Sequence, residues 1–280
     1  MAPATTAPRD FVIPAEFRRP WYASWRGWAI ALAIFVLNAV AFVRSEINFG
    51  LIIEDIQESG CRSCRVIAQL FQPDWTTLAD VTVRMTDTVL LAVLASTISV
   101  VIAIPLSFLG ARNLMGTNPV TLAIYGLFRF IFTVIRSIDL LIVIIIFLVA
   151  VGIGSPAGVL GLAFHNIGVL GKLYGEAIEG IDAGPIEAIT ATGANRVQVI
   201  WYAVLPQIVN PFIALTIYRL DTNVRLAPIM GLVGGGGIGF LLIQYLNLLQ
   251  YDKAAPILLE IVIVVVAMDL ISGQIRRRLA

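Results

Sequence analysis

Long apolar runs alternate with short polar breaks along most of this chain. A bilayer core takes about 20 mostly apolar residues per crossing helix. Runs of that kind lie near residues 28–44, 86–110, 157–179, 206–233 and 255–274. Residues 119–153 are also apolar but too long for one straight crossing, since at 1.5 Å per residue they reach about 50 Å. The polar group Arg136, Ser137 and Asp139 divides them. The pattern predicts a lead-in helix over 119–135, partly at the interface, and a crossing helix over 137–153. The expected class is an all-α membrane protein with about six transmembrane helices.

Composition agrees. Of the 280 residues, 59% are hydrophobic and 13% charged, with a mean hydropathy of +0.90. A soluble domain carries about 25% charged residues. The formal net charge of +1 offers no bulk attraction for nucleic acid. Residues 1–20 hold four prolines and no helical periodicity, and Trp21, Tyr22, Trp25 and Trp28 then form an interfacial aromatic belt. The first apolar run follows a polar lead and has no A-x-A-like site after it, so no cleavable signal is expected.

Basic residues orient the spans. Arg9, Arg18, Arg19 and Arg26 precede the first run, and Arg276, Arg277 and Arg278 follow the last. Both ends are therefore expected to be cytoplasmic. The acidic segment 45–84 then lies outside, although it carries Arg62, Arg65 and Arg84, and the polar segment 182–200 lies inside. The domain expectation is a cytoplasmic tail and interfacial segment (1–27), a first span with an external segment (28–84), and a core (85–280).

The inner segment carries the most telling motif. It reads Gly184-Pro-Ile-Glu187-Ala188-Ile189, continues to Gly193, and closes on Ala203-Val-Leu205-Pro206. Pro suits a first helical turn, an acid suits a helix N-terminus, and Gly suits a helix end. This segment resembles the EAA loop of permease subunits of bacterial ABC importers. Glu187, Ala188, Gly193, Leu205 and Pro206 fall in register, while Ile189 and Ala203 depart from the pattern.

Three further stretches resemble the phosphonate/phosphite importer permeases: Ala111-Arg112-Asn113, His165 to Tyr174, and Tyr218 to Arg225 with Gly231 to Gly239. The likeness covers roughly 85–280. It implies a type I, MetI-like permease fold in a bacterial cytoplasmic (inner) membrane. It also implies a complex of this chain with a second copy of itself, two ATPase subunits and an external phosphonate-binding protein, working by alternating access. ATP and Mg would be held by the partner ATPase. This chain would carry no cofactor and no catalytic residue, and its single His excludes an imidazole metal cluster.

The charges inside the fifth run point to the cargo. Intramembrane charges are costly and default to functional hypotheses. Asp221 and Arg225 are four apart, acid first, the favourable order for a helical ion pair. That pairing leaves Arg219 less compensated, and an Arg fork suits an oxyanion. The expected anion path is Arg219 and Asn223, with Arg225 second and His165 on the neighbouring span. Lys172 with Glu176, and Arg136 with Asp139, are expected to be structural pairs.

The glycines at 234, 235, 236, 237 and 239 lack the G-x-x-x-x-G-K-[ST] pattern of a phosphate loop. Gly234, Gly235, Gly236, Gly237 and Gly239 are read instead as close packing or a flexible bend. Cys61 and Cys64 are expected to form a small external disulfide. Two other readings stand beside the main one. One is an importer permease for an amino acid or osmolyte. The other is a membrane thiol oxidoreductase using Cys61 and Cys64, which leaves the inner motif unexplained.

Overall fold

A computed structural model describes residues 25–45, 62–115 and 118–279. The chain divides into two units, residues 1–65 and 66–280. The first holds α1 (Trp25–Arg44), which is apolar on every face, as hydrocarbon requires. Helix α2 (Arg62–Leu70) starts in the first unit and ends in the second. Cys64 lies in its first turn, and Cys61 lies outside the described residues, as does the aromatic pair Trp21 and Tyr22.

The second unit is built from α3 (Leu78–Leu109), α4 (Arg112–Met115), α5 (Pro119–Ser137), α6 (Leu140–Val151) and α7 (Ser155–Glu179). Helices α8 (Ala183–Ala191), α9 (Arg196–Val199), α10 (Leu205–Leu232), α11 (Ile238–Asn247) and α12 (Tyr251–Leu279) complete it. A π-helical turn, Ile200–Val204, joins α9 to α10. At the start of α3, Asp74 accepts from the Thr76 hydroxyl and backbone N–H. Those two bonds, the hydroxyl's first, hold its carboxyl below the ordinary carboxylate range.

Five of the helical stretches are long and apolar enough to cross a membrane: 27–44, 75–109, 119–137, 197–232 and 251–278. Helix α7 has the length, with 25 residues, but is less apolar. The reason is its place at the centre. Its buried residues form one core with α3, α6 and α10 around Ala92, Ile144, Leu162 and Met230. A second core joins α3, α7 and α10 around Ala103, Leu170, Tyr174 and Phe212. A helix sheathed by other helices has no need of a lipid-compatible surface.

Glycines let α7 sit there. A Cβ on Gly161 would lie 2.8 Å from Ile144, and one on Gly171 would lie 2.6 Å from Phe132. Small residues at such contacts are how membrane helices approach closely. In α3 the hydroxyls bond back to their own helix: Thr88 donates to the Arg84 carbonyl at 2.7 Å and Ser96 to that of Ala92 at 2.7 Å. Polar groups are thereby satisfied inside an otherwise apolar segment.

The expected break in the third apolar region falls at Ile138–Asp139, where Asp139 caps α6 by accepting from Leu141 N–H at 2.9 Å. The division of labour differs from the expectation. The 12 residues of α6 reach only about 18 Å, too short to cross alone, whereas the 19 of α5 reach about 28 Å. Along α7, Phe132 meets Gly171, Ile135 meets Gly168 and Ile144 meets Gly161, so α6 continues the course of α5.

Two expected ion pairs give way to others. Among the described residues no ion pair joins Arg136 to Asp139. Glu176 pairs not with Lys172 but with Arg129 of α5, at 3.2 Å. Arg129 also reaches Glu179 at 3.5 Å, and Glu179 accepts from Arg112 N–H at 2.9 Å. A tertiary fork serving two acids wins over a single helical pair in the weaker charge order.

Candidate cargo pathway and coupling surface

Three neighbouring helices bring polar side chains into the core. Arg219 of α10 is 9% exposed and donates through Nη2 to Oδ1 of Asn166 on α7, a residue fully buried. Four residues on, Asn223 is also fully buried and donates to Ser96 Oγ of α3 at 2.7 Å. One α10 face thus reaches α7 through Arg219 and α3 through Asn223.

Asp221 is engaged elsewhere. Its Oδ2 accepts from Arg225 at 3.4 Å, the expected helical pair, and Arg225 also lies 4.0 Å from Asp269 of α12. Arg225 has two acids beside a half-exposed head group. Among the described residues no carboxylate pairs with Arg219. Arg136, of like sign, lies within electrostatic reach at the end of α5. His165 is part-buried within electrostatic reach of both Arg219 and Asp139.

Several polar atoms here are buried without a hydrogen-bond partner: Arg219 Nε, Asn166 Nδ2, Asn223 Oδ1, Asp221 Oδ1 and His165 Nδ1. Each such group in a folded protein costs about 1–3 kcal/mol. Of these, Arg219 Nε and Asn166 Nδ2 are donors that an anion can satisfy, whereas Asn223 Oδ1 and Asp221 Oδ1 are acceptors. Gly168, two residues from Asn166 and so on another face of α7, packs against Ile135 and Arg136 beside the α5–α6 break.

The glycine segment forms a tight turn between α10 and α11. Gly237 has φ +74°, and Thr88 Oγ1 accepts from the next N–H, of Ile238, at 2.7 Å. A Cβ on Gly239 would overlap the Pro228 carbonyl oxygen. Gly234 and Gly236 also have positive φ, and a Cβ on Gly235 would lie 2.8 Å from the Met230 carbonyl. Close packing is therefore the visible reason for these glycines. Beside them lies a cavity of about 360 Å³ lined by Arg84, Ser155, Gly236, Gly237 and Gln244, among others.

The inner motif is laid out differently. Helix α8 has no buried residue, and Glu187 and Ala188 are exposed. It begins at Ala183, where Asp182 caps it by accepting from Gly184 N–H at 3.0 Å. Gly193 follows its end with φ +83°, a conformation that favours glycine. Pro206 lies in the first turn of α10, and helical structure already runs from Arg196 through the π turn. The whole segment is a short, uncovered helix held at both ends by buried ones.

The likenesses of Asn166 and Ser96 to site residues were not foreseen from the sequence. Asn166 lies within the His165–Tyr174 stretch, but nothing local marks it as Arg219's partner. Ser96 has no sequence signal at all.

An all-helical core around a central glycine-bearing helix, with a short exposed helix between buried ones, suits a membrane transport subunit. The chain belongs to the family of binding-protein-dependent transport system inner membrane components, whose model matches residues 103–280. Over 191 residues it is 42% identical to the phosphite transport system permease protein PtxC of Stutzerimonas stutzeri, covering 68% of each chain. Over 191 residues it is 41% identical to the phosphate-import permease protein PhnE of Mycolicibacterium smegmatis, covering 68% of this chain and 35% of that one. A chain of the MetNI methionine ABC transporter, solved in inward-facing conformations, superposes with a TM-score of 0.63 at 24% identity, over 71% of this chain and 96% of that one. That last likeness speaks for the fold, and the MetI-like permease fold is the one found.

Proposed function

We propose that this chain is the permease subunit of an ATP-driven importer whose cargo is a phosphonate or a related phosphorus oxyanion. The observation that carries the cargo class is Arg219: a buried guanidinium with a neutral partner and no acid among the described residues. An isolated charge taken out of water costs on the order of several kcal/mol. A cargo that brings negative charge offsets that cost while it passes. A zwitterionic amino acid would bring its own cation toward Arg219 and Arg136, so it fits less well. The phosphite and phosphate named for the two relatives belong to the favoured class.

The family supports an assembly of the following kind. The exposed α8, with Glu187, Ala188 and Gly193, docks on an ATPase subunit that binds ATP and Mg. Leu205 and Pro206 carry its movement into α10. A second copy of this chain, two ATPase subunits and an external binding protein complete the complex in a bacterial cytoplasmic membrane. Helices α1, α3, α5, α9 with α10, and α12 are long and apolar enough for five crossings. We assign the sixth to α7, which has the length, and this leaves both ends cytoplasmic. Cys61 and Cys64 are assigned a structural role, and a double serine variant that still imports cargo excludes an essential redox role.

The test is uptake of phosphite and methylphosphonate by proteoliposomes holding the complete complex. ATP-dependent accumulation of either supports the reading; accumulation of an amino acid and of neither oxyanion contradicts it. Glu187→Lys places a cation on the docking face. It is expected to lower uptake at least about tenfold, equal to ~1.4 kcal/mol, through lost ATPase co-purification or lost coupling. Normal assembly together with normal uptake removes α8 from the coupling role.

A further inference from the structure

We infer that the side-chain amide of Asn166 is an internal stand-in for the cargo: its oxygen occupies the Arg219 fork when no anion is there and yields it when one arrives. This rests on the reading of Arg219 as an anion-path residue. Asn166 is fully buried on α7, and its Oδ1 accepts from Arg219 Nη2. It is a neutral acceptor presented to a buried cation that no described carboxylate pairs with.

The chemistry makes the exchange directional. A hydrogen bond from a guanidinium to a neutral amide is weaker than one to an oxyanion, which is charge-assisted on both sides. An anion therefore displaces the amide oxygen, whereas water or a neutral solute gains little by doing so. An aspartate at the same place would close the fork permanently. Two donors stand ready beside the exchanged bond, Arg219 Nε and Asn166 Nδ2, both buried and both without a partner. Once the amide oxygen has yielded the fork, Nε joins Nη2 in a two-pronged hold on one anion.

The amide also sets affinity. A pathway site that binds too tightly does not release, so a built-in competitor keeps the hold weak. Arg136, the penultimate residue of α5, lies within electrostatic reach of Arg219, so this contact is beside the α5–α6 break. Relative movement of α7 and α10 would part Asn166 from Arg219 and admit the cargo.

The experiment is equilibrium binding of radiolabelled phosphite to the assembled permease–ATPase complex without its external binding protein. Assembly is checked by co-purification, and three variants are compared with the wild type. Asn166→Ala removes the competitor and is expected to bind phosphite at least about threefold more tightly, equal to ~0.65 kcal/mol. Asn166→Asp is expected to lose binding more than about tenfold, equal to ~1.4 kcal/mol. Arg219→Gln is expected to bind none. Weaker binding by Asn166→Ala, or unchanged binding by Asn166→Asp, overturns the stand-in role while leaving Arg219 in place. Binding by Arg219→Gln at the wild-type level, or none by the wild type, removes the reading beneath it as well.

Discussion

Two arginines six residues apart on α10 live under opposite conditions. Arg225 is half-exposed and has Asp221 at 3.4 Å and Asp269 at 4.0 Å. Arg219 is 9% exposed and has a neutral amide. Burial alone would predict the reverse, because the charge farther from solvent needs an acid more. The helix could have provided one: Asp221 sits between them and turns to Arg225, its partner four residues on. The compensated arginine is a fastener between α10 and α12. On the proposed reading, the uncompensated one is held ready for a charge that comes from outside the chain.

The contrast is sharpened first by changing the shape of each head group while keeping its charge. Lys lacks the planar fork. Arg219→Lys is expected to lower phosphite uptake about tenfold, ~1.4 kcal/mol, whereas Arg225→Lys stays within about twofold, since an ammonium still reaches two acids. Equal losses erase the distinction. A smaller effect is expected at Asn223, which links the same α10 face to Ser96. Asn223→Ala frees the Ser96 hydroxyl and is expected to reduce uptake about threefold, ~0.65 kcal/mol, with ATP hydrolysis retained. A loss confined to expression would make Asn223 a packing residue only. The smallest concerns the fastener itself. Asp221→Asn is expected to lower stability by about 1 kcal/mol, modest because Arg225 stays half-exposed and keeps Asp269. Thermal unfolding of the purified complex reads it, and a loss of uptake as large as that of Arg219→Lys counts against the comparison.

Local features of this architecture were legible in the sequence. The i, i+4 spacing of Asp221 and Arg225 foretold their bond, and with it the isolation of Arg219. The polar residues 136–139 foretold the break between α5 and α6, and Gly193 the end of α8. What escaped were contacts between distant segments. Ser96 and Asn223 lie 127 positions apart, and Asn166 and Arg219 lie 53 apart. Arg129 drew Glu176 away from Lys172 across 47 positions because it could serve Glu179 as well. Length misled in the third apolar region, where a polar break was visible but the weight of each piece was not. The low apolarity of α7 is likewise a tertiary fact: its glycines mean something only beside Ile144, Phe132 and Ile135.

The central claim is that α10 carries one functional arginine and one structural one. It is tested most directly by phosphite uptake into proteoliposomes of the complete complex, comparing Arg219→Gln with Arg225→Gln at equal assembly. Loss of uptake by more than about thirtyfold, ~2 kcal/mol, is expected for Arg219→Gln, with Arg225→Gln retaining most of it. Full uptake by Arg219→Gln, or equal loss in both, would contradict it.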